Sequence, residues 1–534
     1  MLDSTSPSWA LLAIPGLLLA LLWWRSRTRH SDLPLPPGPP RLPIIGNALG
    51  VPTKNMEATF RAMNEQYGDV VYLDALGQPM IILGSHEAAV DLLEKRSAIY
   101  SDRSISTMAE LCGLDWVLTL INYGPWWRRH RRTFHQFFNP TAVQEYQPSQ
   151  RREAHKFVLR LIERPKDFVH HIRHLFGSTI MRITYGIEVD EPGNESYLAL
   201  AEEALAIFSA ATVPGKYLVE TFPVLRHVPA WFPFAKFKRE ATAWRAKPME
   251  VLHRPWEVAV DAIGTAPPSM AATLVENISR LPPDEVKDEE DVARHTTAVV
   301  YGAGADTTLS TVQTFFLAMA SNPDVQKKAQ EELDAVIGPA RLPEFSDQDS
   351  LPYINALIKE LLRWRSVVPL AIPHRSVEED EYRGYWIPKG SIVIANVWWD
   401  PSDPLPCTAY SRDPSVYPDP EAFMPERFLR DGKPNPDVRD SATIAFGYGR
   451  RADDWHDSIC PGRHFAEASL FMIVTTALHT LSISAPIGED GRPVRLEGKM
   501  TPGILSYPEP FECVIEPRSR LAETLIRTSC SESS

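Results

Sequence analysis

One cysteine placed directly before a long apolar helix constrains this chain more than any other feature. Cys460 stands in the segment ICPGRHFAEASLFMIVTTALHTL, where a helical pattern begins immediately after the cysteine. A thiolate there would lie near the amide dipoles of a helix N-terminus, which stabilise negative charge. Pro461 and Gly462 allow the backbone to pass close to a flat group. The pattern is therefore that of a cysteine ligand loop.

Charge and cysteine content exclude two other classes of protein. The 534 residues carry 55 Lys and Arg against 68 Asp and Glu, a formal net charge of −13. A chain this acidic is a poor candidate for nucleic-acid binding, which needs a basic face. The five cysteines have neither C-x-x-C nor zinc spacing. An odd, sparse set of this kind favours a reducing compartment over a disulfide framework.

The first 47 residues predict a membrane anchor followed by a spacer. Residues 9–24 read WALLAIPGLLLALLWW, an uncharged apolar run with tryptophans at its ends. Three arginines follow this run, so the positive-inside rule places the rest of the chain in the cytosol. A cleaved signal peptide is the alternative, but its basic residues would precede the apolar run. We expect a transmembrane anchor with a basic flank in residues 1–30, a proline-rich hinge over residues 31–47 and one globular domain over residues 48–534.

Helical patterns dominate the body of the chain, and short strand-like pieces are scattered among them. The sequence contains neither G-x-G-x-x-G after a strand nor G-x-x-x-x-G-K-[ST], so it brings no nicotinamide, flavin or nucleotide module of its own. The aromatic and proline-rich residues 222–240 have two interpretations, a buried loop or a surface that dips into a membrane. We expect a mainly α fold with a small β portion.

The cysteine loop resembles a known signature once an insert is set aside. FGYGRR and ICPGRHFA are separated by the seven residues ADDWHDS, from Ala452 to Ser458. Without them the text reads FGYGRRICPGRHFA, which resembles the haem-thiolate signature F-x-x-G-x-R-x-C-x-G of the cytochrome P450 family. Other marks of the family follow in order across residues 33–515. Phrases such as LEKRSAIYSDR and SRDPSVYPDPEAFMPERFL are similar to fungal microsomal members that tailor secondary metabolites.

The resemblance implies a cytochrome P450 fold and a haem b cofactor whose axial metal ligand is the Cys460 thiolate. Two residues of a W-x-x-x-R motif and one in IPHR would contact haem propionates, and others would lie against the haem or its ligand loop. These implied cofactor-binding residues are Trp127, Arg131, Ala303, Gly304, His374, Phe446, Gly449, Arg451, Cys460 and Gly462.

The resemblance also implies catalytic and structural residues. Asp306 and Thr307 in AGADTT form an acid–alcohol pair that would deliver protons to dioxygen, although a lone Thr in a helix is ordinarily back-bonded. Gly304 would leave room for a ligand and permit a local bulge. Glu360 and Arg363 share a helix face and would pair with Arg427 of MPERF. A buried three-charge network is costly unless it is complete, so the three are expected together.

Two inserts depart from the family pattern. ADDWHDS puts Arg451 nine positions before Cys460 instead of two, and a second insert runs from Trp399 to Tyr410. Each is either a genuine loop or a translated intron edge. Seven surplus residues can bulge outward at modest closure cost, because loop entropy grows slowly with length. His456 inside the insert is a rival iron ligand, disfavoured because Cys460 keeps its Pro-Gly context.

We therefore expect a haem-thiolate monooxygenase in the endoplasmic reticulum membrane, with its catalytic domain in the cytosol. Because no flavin module is present, electrons would come from NADPH-cytochrome P450 reductase, docked on the basic helix that carries Arg128, Arg129 and Arg132. The expected pocket segments are mostly small or apolar and suit a terpenoid, polyketide or indole: residues 104–120, 208–212, 299–303 and 367–372.

Two other functions stay open from the sequence. The insert from Ala452 to Ser458 would make the chain a catalytically impaired haem protein or a mis-spliced product if it breaks the site. A rearrangement enzyme of the same fold, working without reductase, is the weaker option, because the acid–alcohol pair is intact.

Overall fold

A computed structural model describes most of the chain. It covers residues 32–52, 55–104, 106–194, 196–213, 215–262, 264, 267–397, 410–449 and 460–532. The predicted anchor in residues 1–30, Arg451, the insert residues 452–458 and residues 399–409 lie outside the described residues. Across the described ranges, no helix is both long and apolar enough to cross a bilayer.

α-Helices form most of the described structure, as their apolar periodicity predicts. They are Met56–Tyr67 (α1), His86–Ala89 (α2), Ser97–Tyr100 (α3), Thr107–Leu111 (α4), Pro125–Phe138 (α5), Gln147–Glu163 (α6), Phe168–Tyr185 (α7), Ser196–Ala211 (α8), Leu218–Thr221 (α9), Lys236–Trp244 (α10), Ala246–Asp261 (α11), Met270–Ile278 (α12), Pro283–Ser321 (α13), Pro323–Val336 (α14), Pro352–Trp364 (α15), Ala442–Ala445 (α16), Arg463–Thr480 (α17) and Arg520–Glu532 (α18). A π-helical turn, Val90–Lys95, follows α2. Short 3-10 turns connect other elements: Ala142–Tyr146, Pro165–Asp167, Pro223–His227, Phe345–Ser350, Tyr410–Arg412 and Pro425–Phe428.

The β portion is small, and most of its strands are short. The strands are Val70–Ala75 (β1), Gln78–Leu83 (β2), Asp102–Arg103 (β3), His374–Arg375 (β4), Asp380–Tyr382 (β5), Tyr385–Ile387 (β6), Ile392–Ala395 (β7), Leu429–Arg430 (β8), Lys433–Pro434 (β9), Leu481–Ser484 (β10) and Val514–Pro517 (β11). One five-stranded sheet has the order β1-β2-β7-β4-β3, with β2 and β7 parallel and the other pairs antiparallel. The expected mainly α fold with a small β portion is confirmed.

The long helix α13 is the axis of the core. Asp284 and Glu285 in its first turn complement the positive end of the helix dipole. Residues 308–320 are buried on every face, which is typical of a helix enclosed by others. Helices α5, α7, α11, α12, α15 and α17 pack around it. Phe315 and Val312 of α13 join Leu478 of α17 in the largest apolar cluster.

Candidate active site

The central helix has an accessible window in its middle. Residues 296–301 are buried and residues 308–320 are buried, yet residues 302–307 between them are partly accessible and Ala303 is exposed. A core helix with an open stretch of about one and a half turns borders an internal space rather than another helix. The window coincides with the AGADTT segment that the sequence singles out.

Gly304 also has a role in helix packing. A Cβ atom on Gly304 would lie 2.8 Å from Ile180 Cδ1, so the missing side chain allows α7 to approach α13 closely. Helix α13 is continuously α-helical from Pro283 to Ser321, so the local bulge that Gly304 would permit is not formed in this structure. Ala303, not Gly304, is the residue exposed at the window.

Thr307 and Asp306 face different sides of α13. Thr307 Oγ1 donates to the Ala303 carbonyl oxygen at 2.9 Å, one turn earlier, on the face that carries the window. Asp306 instead accepts a hydrogen bond from the Tyr507 hydroxyl and lines a small cavity beside Glu202 of α8. Burial raises the pKa of Asp306, and the hydrogen bond from Tyr507 opposes that rise. The acid and the alcohol are adjacent in sequence, and the Asp306 carboxylate is turned away from the side of α13 that carries Ala303 and Thr307.

Cys460 is held to the other half of its loop by a backbone hydrogen bond. The Cys460 N–H donates to the Phe446 carbonyl oxygen at 3.1 Å, and the Cys460 side chain is half-buried. Helix α17 begins at Arg463, as the position of the cysteine predicts. Burial raises the pKa of the Cys460 thiol, while a hydrogen bond from the Gly462 N–H and the charge of Arg131 lower it.

Gly462 also lies close to the sulfur. A Cβ atom on Gly462 would lie 3.9 Å from Cys460 Sγ, in ordinary van der Waals contact with the sulfur. In the other half of the loop, Gly449 has φ 102°, a conformation that favours glycine. Phe446 lies under the Arg463 guanidinium, 5.7 Å from ring centroid to Cζ. Arg451 lies outside the described residues, so its predicted role is not tested here.

Helix α5 brings the W-x-x-x-R residues to this region. Pro125 starts the helix, where a missing N–H costs nothing. Trp127 is almost completely buried, 1% exposed, whereas Arg131 one turn later is half-buried. Since the charge of Arg131 acts on Cys460, the two residues lie on the same side of the core. Arg129 points elsewhere and forms ion pairs with Asp288 and Glu289 at 3.2 and 2.6 Å.

His374 lies buried in the five-stranded sheet. Its Nδ1 is 2.7 Å from the Tyr100 carbonyl oxygen, which can only accept, so Nδ1 carries the proton. Its partner across β3 and β4 is Arg103. The buried Arg103 guanidinium donates to the carbonyl oxygens of Ile372 and Pro373. Sequence reasoning missed Arg103, for which the only signal was a cationic residue at the end of LEKRSAIYSDR.

The three charges of the predicted network come together. Glu360 and Arg363, both 0% exposed, form a bidentate pair with N–O distances of 2.7 and 2.8 Å. Arg427 Nε donates to Glu360 Oε1 at 3.2 Å, and the Met424 N–H donates to the same oxygen at 2.8 Å. Arg363 also donates to the Ser411 carbonyl oxygen at 2.9 Å. The network is therefore well satisfied, as a buried charge cluster must be to be tolerated.

The aromatic residues 222–240 are not a buried loop. Trp231 is 80% exposed, Phe234 86% and Val224 72%, so these residues form an exposed apolar surface, and its contact with a membrane stays a prediction. Nearby, the Glu220 carboxylate of α9 accepts hydrogen bonds from the N–H groups of Thr107 and Met108 at 3.2 and 2.7 Å. These bonds cap α4, and sequence reasoning missed them because the partners are more than 100 positions apart.

Comparison with known proteins identifies the family. A model described as cytochrome P450 matches residues 36–513. The chain belongs to the cytochrome P450 family. It is 43% identical over 501 residues to cytochrome P450 monooxygenase COX2 of Coprinopsis cinerea, covering 93% of this chain and 92% of that protein. It is 40% identical over 533 residues to monooxygenase ple1 of Rhodocybe pseudopiperita, covering 98% of each. It is 37% identical over 517 residues to tryptamine 4-monooxygenase of Psilocybe cyanescens, covering 95% and 98%.

The chain is thus a cytochrome P450 monooxygenase, and its cofactor is the haem with a cysteine thiolate ligand that this family carries. The residues present fit that group. They offer a thiol at a helix start, an accessible window on an otherwise buried helix, and a half-buried guanidinium and a buried imidazole that suit carboxylates. Cys460 would hold the iron, and Arg131, His374 and Trp127 would contact the propionates. When bound, the haem supplies dioxygen activation, and the protein orients substrate and excludes water.

Proposed function

We propose that this cytochrome P450 is membrane-attached, uses Cys460 as its thiolate ligand, and oxidises a lipophilic small molecule of secondary metabolism with electrons from NADPH-cytochrome P450 reductase. The observation that carries the ligand assignment is the 3.1 Å hydrogen bond from the Cys460 N–H to the Phe446 carbonyl oxygen. It joins the two halves of the loop on either side of residues 450–459. A loop closed in this way can keep Cys460 and Phe446 in register whatever the length of the chain between them.

The surroundings of the other described cysteines support the same assignment. Burial raises the pKa of Cys112 to about 11 and that of Cys513 to about 12, as in small apolar core residues. Guanidinium groups lower the pKa of both Cys112 and Cys460, but Cys460 differs because the Gly462 N–H also donates to its sulfur. Iron binding would displace the thiol proton, since the thiolate is the ligand. These observations disfavour the impaired-protein alternative.

The decisive experiment is the reduced, carbon-monoxide-bound absorption spectrum of the 534-residue chain in membranes. We expect a thiolate-type Soret band in the wild-type protein and its loss in Cys460→Ser. An imidazole-type band in the wild type, or no haem at all, would overturn the ligand assignment. Cys112→Ser is the matched control and should keep the thiolate-type band.

The substrate class is proposed from the apolar walls beside α4 and α8. Met108, Leu114 and Ile207 belong to one apolar cluster that spans these elements. Apolar side chains recognise shape and hydrophobicity, which suits a terpenoid, polyketide or indole. The test is a library of these three classes screened for a change in the ferric haem spectrum on binding. A protein that responds only to hydrophilic compounds would contradict the proposal.

Membrane contact is proposed from the exposed apolar side chains of residues 222–240. Exposed tryptophan and phenylalanine are typical of surfaces that enter the interfacial region of a bilayer. In vesicles with bromine on the acyl chains, quenching of tryptophan fluorescence in the full-length chain should fall in Trp231→Phe. Trp364→Phe, at a site that is 7% exposed, should leave the quenching unchanged. Equal quenching in wild type and Trp231→Phe would refute a role for this surface.

Reductase docking is proposed on the exposed side of α5. Arg129 is already neutralised by Asp288 and Glu289, so the docking charges are Arg128 and Arg132. Arg128→Glu/Arg132→Glu should slow first-electron transfer from the reductase, with a steeper effect at low salt. Arg280→Glu, which alters an exposed i,i+4 pair elsewhere, is the control. Equal reduction rates in the two variants would show that α5 is not part of the reductase-binding surface.

A further inference from the structure

The first half of the cysteine loop contains a turn with two glycines. Gly447 has φ 91° and Gly449 has φ 102°, both in the region that glycine adopts without strain. Glycines have no side chain with which to fix such a turn. Tyr448 lies between them, so among residues 447–449 only Tyr448 has a side chain that can hold the turn in place.

Tyr448 is anchored in a cluster of three rings. Its hydroxyl lies 3.0 Å from His86 Nδ1, and its ring centroid lies 5.6 Å from that of His86 and 6.1 Å from that of Tyr410. Tyr448 is 2% exposed and Tyr410 is 1% exposed. Burial and the charge of Arg439 lower the pKa of His86 to about 4, so a neutral imidazole meets the Tyr448 hydroxyl at pH 7.

The cluster attaches the loop to the five-stranded sheet. His86 is the first residue of α2, which starts directly after β2 and is capped by Ser85 through the Ala88 N–H at 3.3 Å. The Tyr410 hydroxyl donates to the carbonyl oxygen of Leu83, the last residue of β2, at 2.7 Å. His86 and Tyr448 are 362 positions apart in sequence. The turn is thus tied to a rigid element far away along the chain.

A displacement of Tyr448 would be transmitted to Cys460. Phe446, two residues before Tyr448, provides the carbonyl oxygen that accepts the Cys460 N–H. The second half of the loop is fixed separately, because Gln150 of α6 donates to the Phe465 carbonyl oxygen and to Ser469 Oγ at 3.1 and 2.8 Å. If the first half moved, the two halves would separate at the cysteine.

We propose that His86 and Tyr410 are positioning residues that hold Tyr448, and through it the Phe446 carbonyl, so that Cys460 stays in place as the haem ligand. The proposal rests on the assignment of Cys460 as ligand. His86 and Tyr410 belong to none of the family motifs in the sequence. Tyr410 is the last residue of the insert Trp399–Tyr410, and Tyr448 lies four positions before the insert that begins at Ala452, so this cluster fixes the described chain at one end of each insert.

The test measures how long Cys460 stays bound to the haem iron, and it does not measure product formation. The reduced, carbon-monoxide-bound protein is held at a fixed temperature below unfolding, and the conversion of its thiolate-type Soret band to the inactive type is timed. We expect His86→Phe and Tyr448→Phe each to speed the conversion about fivefold, the factor that corresponds to the loss of one buried neutral hydrogen bond. The double variant should be no faster than either single variant, since both remove the same bond.

Tyr382→Phe is the matched control, because the Tyr382 hydroxyl donates to Asp91 at 2.8 Å and Tyr382 is also buried. It should lower thermal stability by a similar amount without speeding the conversion. His86→Asn, whose amide can replace Nδ1, should convert more slowly than His86→Phe. The proposal is overturned if His86→Phe and Tyr448→Phe convert at the wild-type rate, or if Tyr382→Phe converts as fast as they do. A wild-type protein without a thiolate-type band would instead overturn the Cys460 assignment itself.

Discussion

The Tyr507 hydroxyl donates a hydrogen bond to Asp306 Oδ2, joining a loop near the end of the chain to the central helix. The same loop is fixed a second time, because Ser310 Oγ of α13 donates to the Ser506 carbonyl oxygen at 2.6 Å. Asp306 thereby lines a cavity of about 20 Å³ that Arg173 also borders. A cavity of that size has room for about one water molecule beside the polar groups of Arg173, Glu202 and Asp306.

Removal of the Tyr507 hydroxyl should make stability more sensitive to pH. Burial raises the pKa of Asp306. The stability associated with its protonated form is therefore present below the ordinary carboxyl pKa, about 3.9, and is lost as pH rises through the raised folded-state pKa. Tyr507 limits that loss by donating to the carboxylate. In Tyr507→Phe the pKa should rise further, and the free energy of unfolding should fall by about 1.5–3 kcal/mol once Asp306 is ionised.

The measurement is the thermal unfolding midpoint of ferric Tyr507→Phe and wild type across a series of pH values. The difference between them should widen as pH rises from the acidic limb towards neutrality. Asp306→Asn/Tyr507→Phe is the control, and its difference from Asp306→Asn should not depend on pH. A Tyr507→Phe penalty that is constant with pH would show that the bond does not act on the charged form.

Thr307→Val should separate reductant use from product formation. The hydroxyl is bonded to the Ala303 carbonyl oxygen within α13, so valine, which has a similar volume, should leave folding intact. If the hydroxyl relays a proton at the window, its loss should lower the product formed per NADPH consumed by about 10²-fold, as for other general-acid groups. Hydrogen peroxide release and product are measured together. Thr308→Val, at the buried neighbouring position, should keep the wild-type ratio.

Glu220 should stabilise helix α4 against local unfolding. Its two carboxylate oxygens accept the N–H groups of Thr107 and Met108, and Oε1 also accepts the Ser106 hydroxyl at 3.0 Å. Glu220→Gln places an amide N–H₂ against these donors, which leaves at least one of them unsatisfied. Hydrogen exchange at the amides of residues 107–111 should speed about tenfold or more. Glu110→Gln, which loses an exposed pair with Arg226, should change exchange much less.

Sequence patterns could predict those contacts that local spacing determines. The i, i+3 spacing of Glu360 and Arg363 places both on one face of α15, where they can pair, whereas their third partner Arg427 was expected from the family resemblance. The start of α17 after Cys460 follows in the same way from apolar periodicity and the Pro-Gly pair. These are local rules, so the chain alone is enough to apply them.

Contacts between distant segments could not be predicted in this way. Asp306 meets Tyr507 across 201 positions, and no periodicity links a turn near the C-terminus to a central helix. The packing contact at Gly304 was missed for the same reason, because the residue that a side chain there would meet is Ile180, on the separate helix α7. The pairing of His86 with Tyr448 likewise depends on where α2 leaves the sheet, which tertiary packing decides.

Loss of one charge from the buried network should abolish stable haem protein. Glu360→Gln leaves Arg363 and Arg427 with their charges and without the carboxylate that neutralises them, at positions that are 0% and 7% exposed. Breaking one partner of a buried pair costs about 3–5 kcal/mol, a large part of the total stability of a typical domain. The yield of haem per protein and the unfolding midpoint report the loss. Arg363→Lys, which keeps the charge but not the bidentate geometry, should be intermediate. Lys359→Met is the control, because it removes the half-exposed pair with Asp440 and should lower the free energy of unfolding by at most about 1 kcal/mol. A Glu360→Gln protein as stable as Lys359→Met would show that the network does not hold the fold.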